Sequence, residues 1–556
     1  MAEVWPAHMP RSLEYPEAGL DALVEAAARL YPERTALVDG EQSLSYAAFA
    51  DLVHRVAGGL RERGIGPGDI VALHMPNSLW YPISYYAVVT CGAAAAPLNP
   101  AQPPAALAVQ LRELGATAAV THASCFPALA AAGTTGLRLM VCAPATAAAP
   151  ADGTPPTTLT GLEQLAAAAP LSGPPVSPDA LAHLQLTGGT TGRAKGVRVL
   201  HRNLLAHVLQ QSAWRTGHLP RTDAAGRLRL EPAATGLDTF PLRPCGGVVV
   251  TVAPMFHGLA LVSHAMNILT GVTVVLPGRF QAHDYLAAVE RHRATYVVGA
   301  PAFYHALLRA AGESSYDLGS VRATYSGGAP LDTTALERLR QVFPHAVVGE
   351  GYGLSEATGS LVSTLLDQPE ENPRGSVGLP VFDTEIQIRS ADGDRVLPAG
   401  EIGEIWARGP QIADGYHGAP ELTEQQFREG WLHTGDLGRL DDRGFLFLAG
   451  RSKDMLIYKG YNVYAQHLEE VLAAHPDVAQ VSVVGAPREG VGEIPFAFVV
   501  LREGAVACPG DLMDFVAARV APYQRIRELR TVPALPLSAT GKVLKTELRA
   551  LVAAAG

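Results

Sequence analysis

An α/β fold is predicted for this 556-residue chain by three observations. Short β-branched runs alternate with amphipathic stretches, the length exceeds what one core usually serves, and the texture changes near residues 375 and 451. The first helix is legible in Leu20, Leu23, Val24, Ala27 and Leu30, which recur at helical spacing. Beyond it, Ile70 to Leu73 reads as a strand, Tyr81 to Val89 as a helix and Ala118 to Val120 as a strand. Val272 to Leu276 and Tyr285 to His292 repeat the strand–helix alternation, which calls for parallel strands. Between Ala128 and Pro175 the bias toward Ala, Pro, Thr and Gly predicts surface loops.

From Gly375 to Phe447 the strands become short and alternating, at Glu385 to Ile388, Gly403 to Ala407 and Gly444 to Leu448. Asp-Gly and Pro-Ala-Gly turns separate them, which predicts an antiparallel or barrel-like subdomain. After a hinge near Lys453 the pattern returns to α+β. Ala465 to Ala474 reads as a helix, and Ala479 to Val484 and Phe496 to Leu501 as strands.

Hydrophobic residues at 48% and charged residues at 17% exclude a disordered chain. A net charge of -10 without a basic run argues against a nucleic-acid partner. Cys91, Cys125, Cys142, Cys245 and Cys508 form no C-x-x-C pair and are read as buried small apolar residues in a reducing compartment. The start MAEVWPAHMP lacks the basic and apolar regions of a signal peptide. The strongest apolar run, Val248 to Phe256, is about half the ~20 residues a membrane span requires and suits a buried strand. A cytoplasmic protein without a transmembrane segment is expected.

The segment Leu184-Gln-Leu-Thr-Gly-Gly-Thr-Thr-Gly-Arg-Ala-Lys-Gly196 sets Gly188, Gly189 and Gly192 among the hydroxyls of Thr187, Thr190 and Thr191, with Lys195 close behind. Glycines let backbone N–H groups point at anionic oxygens, hydroxyls add donors, and a lysine offsets charge, so the composition suits a polyphosphate. It is not a Walker A loop, because Ala194 rather than glycine precedes Lys195. A serine hydrolase is disfavoured too, since Gly353-Leu-Ser-Glu-Ala357 lacks the second glycine of a nucleophile elbow.

This loop resembles the phosphate-loop signature of the adenylate-forming superfamily of acyl-CoA synthetases, aryl-CoA ligases, luciferase and peptide-synthetase adenylation domains. Further segments resemble that family's motifs in order, from about Leu20 to Leu551. Pro254-Met-Phe-His257 is similar to the aromatic-His element at the acyl pocket, which makes His257 a candidate to gate or orient the carboxylate. Ser326-Gly-Gly-Ala-Pro330 and Gly351-Tyr-Gly-Leu-Ser-Glu356 resemble the adenine-binding pair. The resemblance implies that Gly328, Gly351 and Tyr352 frame the base, that Ser355 lies near phosphate and that Glu356 ligates Mg2+. Gly430-Trp-Leu-His-Thr-Gly-Asp436 is similar to the ribose-binding aspartate motif. Gly450-Arg-Ser-Lys-Asp454 resembles the hinge signature, which implies a ribose or phosphate contact for Arg451 and a pivot at Lys453. Gly460-Tyr-Asn-Val-Tyr464 continues the match as a helix start. Leu535-Pro-Leu-Ser-Ala-Thr-Gly-Lys-Val-Leu544 looks like the catalytic-lysine loop, which implies a place for Lys542 between the substrate carboxylate and the α-phosphate.

The resemblance implies an α/β protein with a large N-terminal domain, residues 1–450, of two α/β subdomains plus a small distorted β-barrel at about 375–450. A hinge at 451–454 and a small mobile α+β C-terminal lid domain at 455–556 follow. The implied function is ATP- and Mg2+-dependent activation of a small-molecule carboxylic acid to acyl-AMP, with release of pyrophosphate and acyl transfer to CoA. Phosphopantetheine on a carrier protein and a non-thiol nucleophile (an amine, or a nitrogen oxyanion like nitrite) are the alternatives, and a degenerate nucleotide-binding sensor is the alternative of another class. The identity of the acid and the oligomeric state, a homodimer included, stay open. Two departures bear on the acceptor: Tyr458-Lys-Gly-Tyr461 and Tyr523-Gln-Arg-Ile526 both differ from the fatty-acyl pattern. A third is extra length near Thr216 to Arg243, bordering the acyl pocket, for which a lid, an oligomer contact and a solvated surface loop are the readings, the loop being the default.

Overall fold

Parallel strands dominate the larger part of the molecule, as the strand–helix alternation requires. The computed structural model describes residues 4–6, 8–133, 136–144, 158–187, 195–234, 237–328, 331, 333–459, 461–488, 491–538 and 542–553. A seven-stranded sheet runs in the order Thr158–Gly161, Leu139–Ala143, Ala118–His122, Ile70–His74, Ala94–Leu98, Leu181–Thr187 and Lys195–Leu200. Only its last pair is antiparallel. A nine-stranded sheet has Val347–Leu354, Ala323–Ser326, Tyr296–Gly299, Val248–Val250, Thr273–Val275 and Thr35–Asp39 as its parallel centre. Strands buried on both faces read as near-continuous apolar runs, which is why Val248 and its neighbours carry a strand signal.

Between these sheets lies the largest core, to which the helices Asp21–Leu30, Tyr46–Glu62, Trp80–Thr90, His201–Thr216 and Gly258–Leu269 contribute. The region expected to be barrel-like is a five-stranded antiparallel sheet: Glu385–Arg389, Gly403–Arg408, Trp431–Leu440 and Phe427–Arg428 in order, with Leu446–Arg451 paired to Trp431–Leu440. Beyond it, Met455–Tyr458, Tyr461–Tyr464, Val478–Arg488, Gly492–Leu501 and Glu528–Thr531 form a separate sheet. The helices Ala465–Ala473 and Pro509–Ala517 pack on it around Leu468, Leu472, Val483 and Val499.

Four expectations are corrected. Residues 128 to 175 are not all loop, because Leu139–Ala143 is a fully buried parallel strand; the Ala- and Pro-rich stretches around it hid a strand too short to show a period. The extra length after Thr216 folds into a hairpin, His218–Thr222 with Leu228–Pro232. Its Leu219 and the following Phe240 are buried with Trp214 and Phe382. Tyr461–Tyr464 is a strand, and the helix begins at Ala465. Of the cysteines, Cys245 and Cys508 are exposed, Cys508 as the N-cap whose Sγ accepts from the Asp511 N–H. No helix among the described residues is long and apolar enough to cross a membrane.

Candidate active site

Strand ends and turns from several parts of the chain converge at one place. Thr187 ends one strand and Lys195 begins its antiparallel neighbour, so the two are register partners at the mouth of the glycine–threonine loop. The Thr187 hydroxyl donates to the Lys195 carbonyl at 3.4 Å. Gly188, Gly189, Thr190, Thr191 and Gly192 lie outside the described residues.

Lys195 Nζ sits 5.4 Å over the ring of Tyr416, whose hydroxyl donates to Glu356 Oε1 at 2.7 Å. Backbone pairing fixes this trio. Val197 bridges Tyr416, His417 N–H donates to Gly196 O, and Ala413 N–H donates to Glu356 O. Glu356 lies in the single turn Ser355–Ala357 after the Val347–Leu354 strand, and the half-buried Ser355 opens that turn.

The ribose-motif aspartate is set by register. Asp436 stands opposite Arg451 on paired strands, with Arg451 Nε 3.2 Å from Oδ1, while Tyr352 donates its hydroxyl to Oδ2 at 2.8 Å. Tyr352 and Asp436 are 7% and 8% exposed, so this contact sits away from water. Burial raises the Asp436 pKa, while Arg451, the Tyr352 hydroxyl and Lys542 oppose that rise. Tyr352 thus holds the carboxylate by its hydroxyl, with its ring in an apolar cluster beside Leu361 and Leu446.

Lys542 arrives from the C-terminal sheet's side on a tight turn, where its backbone N–H and C=O both pair with Ser538 and Leu537 bridges Val543. Its Cε lies 3.9 Å from where a Cβ on Gly328 would stand, and Gly328 has φ +85°, so glycine serves there both for the turn and for the approach. Lys542 keeps solvent-accessible surface, yet the protein around its ammonium, then Arg451, lower its pKa, and Asp436 and Glu356 act in the opposite sense. His257 caps the Gly258–Leu269 helix through Nδ1. Burial, then Lys542, depress its pKa to about 4, so the ring is neutral at pH 7. Gly351 leaves room for the Tyr325 hydroxyl, which is 1.9 Å from where a Cβ would be. Lys453 lies in the turn Ser452–Asp454, where Arg549 meets both its carbonyl and the Asp454 carboxylate; burial lowers the lysine's pKa.

Comparisons with known proteins decide the family. The AMP-binding enzyme model matches residues 24–417, and the AMP-binding enzyme C-terminal domain model matches 467–542. The chain belongs to the AMP-binding enzyme family. It is 33% identical to 4-coumarate–CoA ligase 5 of Oryza sativa over 94% of this chain and 92% of that one. To the peroxisomal OPC-8:0-CoA ligase 1 of Arabidopsis thaliana it is 31% identical, over 96% and 93%. Among solved structures, ATP-bound MatB from Rhodopseudomonas palustris superposes with a TM-score of 0.79 at 26% identity, covering 95% of this chain and 98% of that one. The amide bond synthetase McbA from Marinactinospora thermotolerans gives 0.80 at 27% identity, over 96% and 99%. This member is an AMP-forming acid–thiol ligase, with the large N-terminal and small C-terminal parts of adenylate-forming enzymes.

The family motifs supplied most of the constellation, and Tyr416 was missed. Its only signal is Asp414-Gly-Tyr416, an ordinary turn in sequence; the Gly415 φ of +97° turns the chain there, and the strand pairing places Tyr416 beside Glu356. On the C-terminal sheet the two departures noted in sequence meet each other. Tyr461, 57% exposed, stacks on Tyr523 with centroids 4.8 Å apart, and Arg527 lies 5.0 Å over Tyr458.

Proposed function

We propose that this site joins a carboxylic acid to ATP as an acyl adenylate and then passes the acyl group to CoA. The observation that supports it most is the arrival of Lys542 beside Gly328, Asp436 and Glu356, three segments of the N-terminal part. A carboxylate is a poor electrophile and must approach a polyanionic phosphate, so the reaction needs fixed positive charge and an in-line geometry. Lys542 offsets charge between carboxylate and α-phosphate, and Lys195 does so at the glycine–threonine loop that holds the departing phosphates. A carboxylate oxygen bonds to the α-phosphorus as the bond to pyrophosphate breaks. The thiol sulfur then bonds to the acyl carbon, its proton leaves, and AMP departs.

Mg2+ fits Glu356. One carboxylate with water and phosphates suffices for this ion, and Glu356 Oε2 carries no hydrogen bond among the described residues while Tyr416 orients Oε1. When bound there, Mg2+ would neutralise phosphate charge. Asp436 and Arg451 hold ribose, Gly328, Gly351 and Tyr352 border adenine, Ser355 lies near phosphate, and His257 orients the acid. The segment 451–454 is the hinge and 455–556 the lid that exchanges Lys542 for a thiol-facing surface, residues 1–450 being the adenylation core.

An amine acceptor is the second reading, favoured by the likeness to the amide bond synthetase. Pyrophosphate release across an acid panel, with hydroxylamine trapping of the adenylate, tests the first half-reaction. Adding CoA, a phosphopantetheinylated carrier protein or a primary amine in separate reactions tests the second. Nucleotide binding with no trapped adenylate from any acid would leave only a nucleotide-binding protein.

A further inference from the structure

The adenylation core buries a charge that the reaction above does not use. Arg215, on the His201–Thr216 helix, is only 4% exposed. Its guanidinium donates to the Tyr296 hydroxyl, to Gln211 Oε1 at 3.0 Å and to Met266 Sδ at 3.7 Å, and it stacks 4.1 Å over the Tyr325 ring. Every one of these neighbours is neutral. Taking a lone cation out of water is costly even when aromatic faces and neutral acceptors offset part of the loss.

One and two turns earlier the helix repeats the pattern. His207, Gln211 and Arg215 stand four residues apart and share one stripe. His207 Nδ1, Gln211 Nε2 and Arg215 Nε are all buried with no hydrogen-bond partner among the described residues. Burial, then the nearby Arg215, push the His207 pKa down to about 3, so its ring adds no second charge. The free Nε leaves one edge of the guanidinium fork available, the shape that matches a carboxylate.

This stripe runs beside the reaction centre. Where a Cβ on Gly359 would stand, the His207 ring is 2.6 Å away, and Gly359 directly follows the Glu356 turn and Thr358. At the other end Tyr325, under the guanidinium, extends its hydroxyl over Gly351 and precedes the Ser326-Gly-Gly328 turn that meets Lys542. Tyr325 and Gly328 are three residues apart, so at most about 10 Å of backbone separates them, which sets Arg215 a short spacer's length from the reacting carboxylate.

We propose that the acid activated here carries a second carboxylate, which Arg215 holds at the far end of the acyl site with Gln211 and His207 along its path. The inference rests on the adenylation reading. A site whose buried polar groups wait for a partner rejects the analogue that lacks it, so the unmet charge acts as a selectivity device.

The test is pyrophosphate exchange with matched pairs: succinate against butanoate, adipate against hexanoate, suberate against octanoate, and 3-(4-carboxyphenyl)propanoate against 3-phenylpropanoate. At least one diacid is expected to exceed its partner in kcat/KM by about tenfold or more. Arg215→Met should erase that preference by raising KM for the diacid, leaving monoacid turnover within about threefold, and Arg215→Lys should fall between. Should Arg215→Met fail to fold, Gln211→Leu keeps the charge, removes one donor and is expected to raise the diacid KM by about tenfold. Preference for the monoacid in every pair, or a diacid preference unmoved by these variants, overturns the proposal and leaves adenylation standing. Absence of exchange with all of these acids and with a wider monoacid panel counts against adenylation itself.

Discussion

The two halves of the site are built differently. On the N-terminal side the polar groups are held by contacts withdrawn from water: Tyr352 to Asp436 at 2.8 Å and Tyr416 to Glu356 at 2.7 Å, each tyrosine fixed by strand pairing. On the C-terminal side Lys542 sits on an exposed turn, and Arg549 ties the last helix to Asp454 in the turn Ser452–Asp454. On the proposed reading the first half is preorganised and the second is delivered. An electrostatic site gains most when its dipoles need no reorganisation, whereas a group that must leave between half-reactions cannot be locked in.

The largest effect expected falls on the core that preorganises the first half. His183, His201, His207 and His264 are buried with pKa values depressed to about 3, 4, 3 and 4. Folded pKa values below the unfolded one mean that the unfolded chain binds more protons, so stability is present above pH ~6.5 and is lost as pH falls toward 4. Denaturant unfolding at pH 7.5 and pH 5 should differ by roughly 1–2 kcal/mol for each of these histidines; equal stabilities would show that they are not held neutral. The delivered half is broken by Lys542→Ala. Pyrophosphate exchange should drop by about 100-fold or more while ATP binding stays within about threefold. Near-normal exchange in that variant would remove Lys542 from the chemistry.

Smaller changes sharpen the contrast. Tyr416→Phe leaves the ring under Lys195 but frees Glu356, so kcat should fall about tenfold, with more Mg2+ needed for half-maximal rate. An unchanged Mg2+ requirement would detach Tyr416 from that role. Tyr352→Phe removes one hydrogen bond from Asp436 and is expected to raise KM for ATP about three- to tenfold with little change in kcat. Smallest is Tyr461→Ala on the exposed stack, expected to raise KM for CoA a few-fold in thioester formation while adenylate formation is untouched. A matching loss in both half-reactions would show that the stack supports folding of the lid and not the acceptor.

Much of the fold was legible because alternating strands and helices leave local periodicities. What periodicity missed had none to show. Leu139–Ala143 lay inside an Ala- and Pro-rich stretch, and Tyr461–Tyr464 was too short to signal a strand ahead of the helix at Ala465. Cys245 and Cys508 were misplaced because burial of a single small residue leaves no pattern in sequence.

The sequence by itself determined the chemistry on offer, since glycines among hydroxyls, a lysine behind them and single carboxylates in ordered motifs already suit a nucleotide and an acid. Only the tertiary structure decided which of these groups meet. Asp436 finds Arg451 through strand register, Tyr416 finds Glu356 across the loop-to-strand bridge, and Lys542 reaches Gly328 from a turn near the C-terminal end of the chain. It also decided that Arg215 is buried with no carboxylate paired to it among the described residues, because burial depends on every element packed around a helix and on no residue of that helix alone.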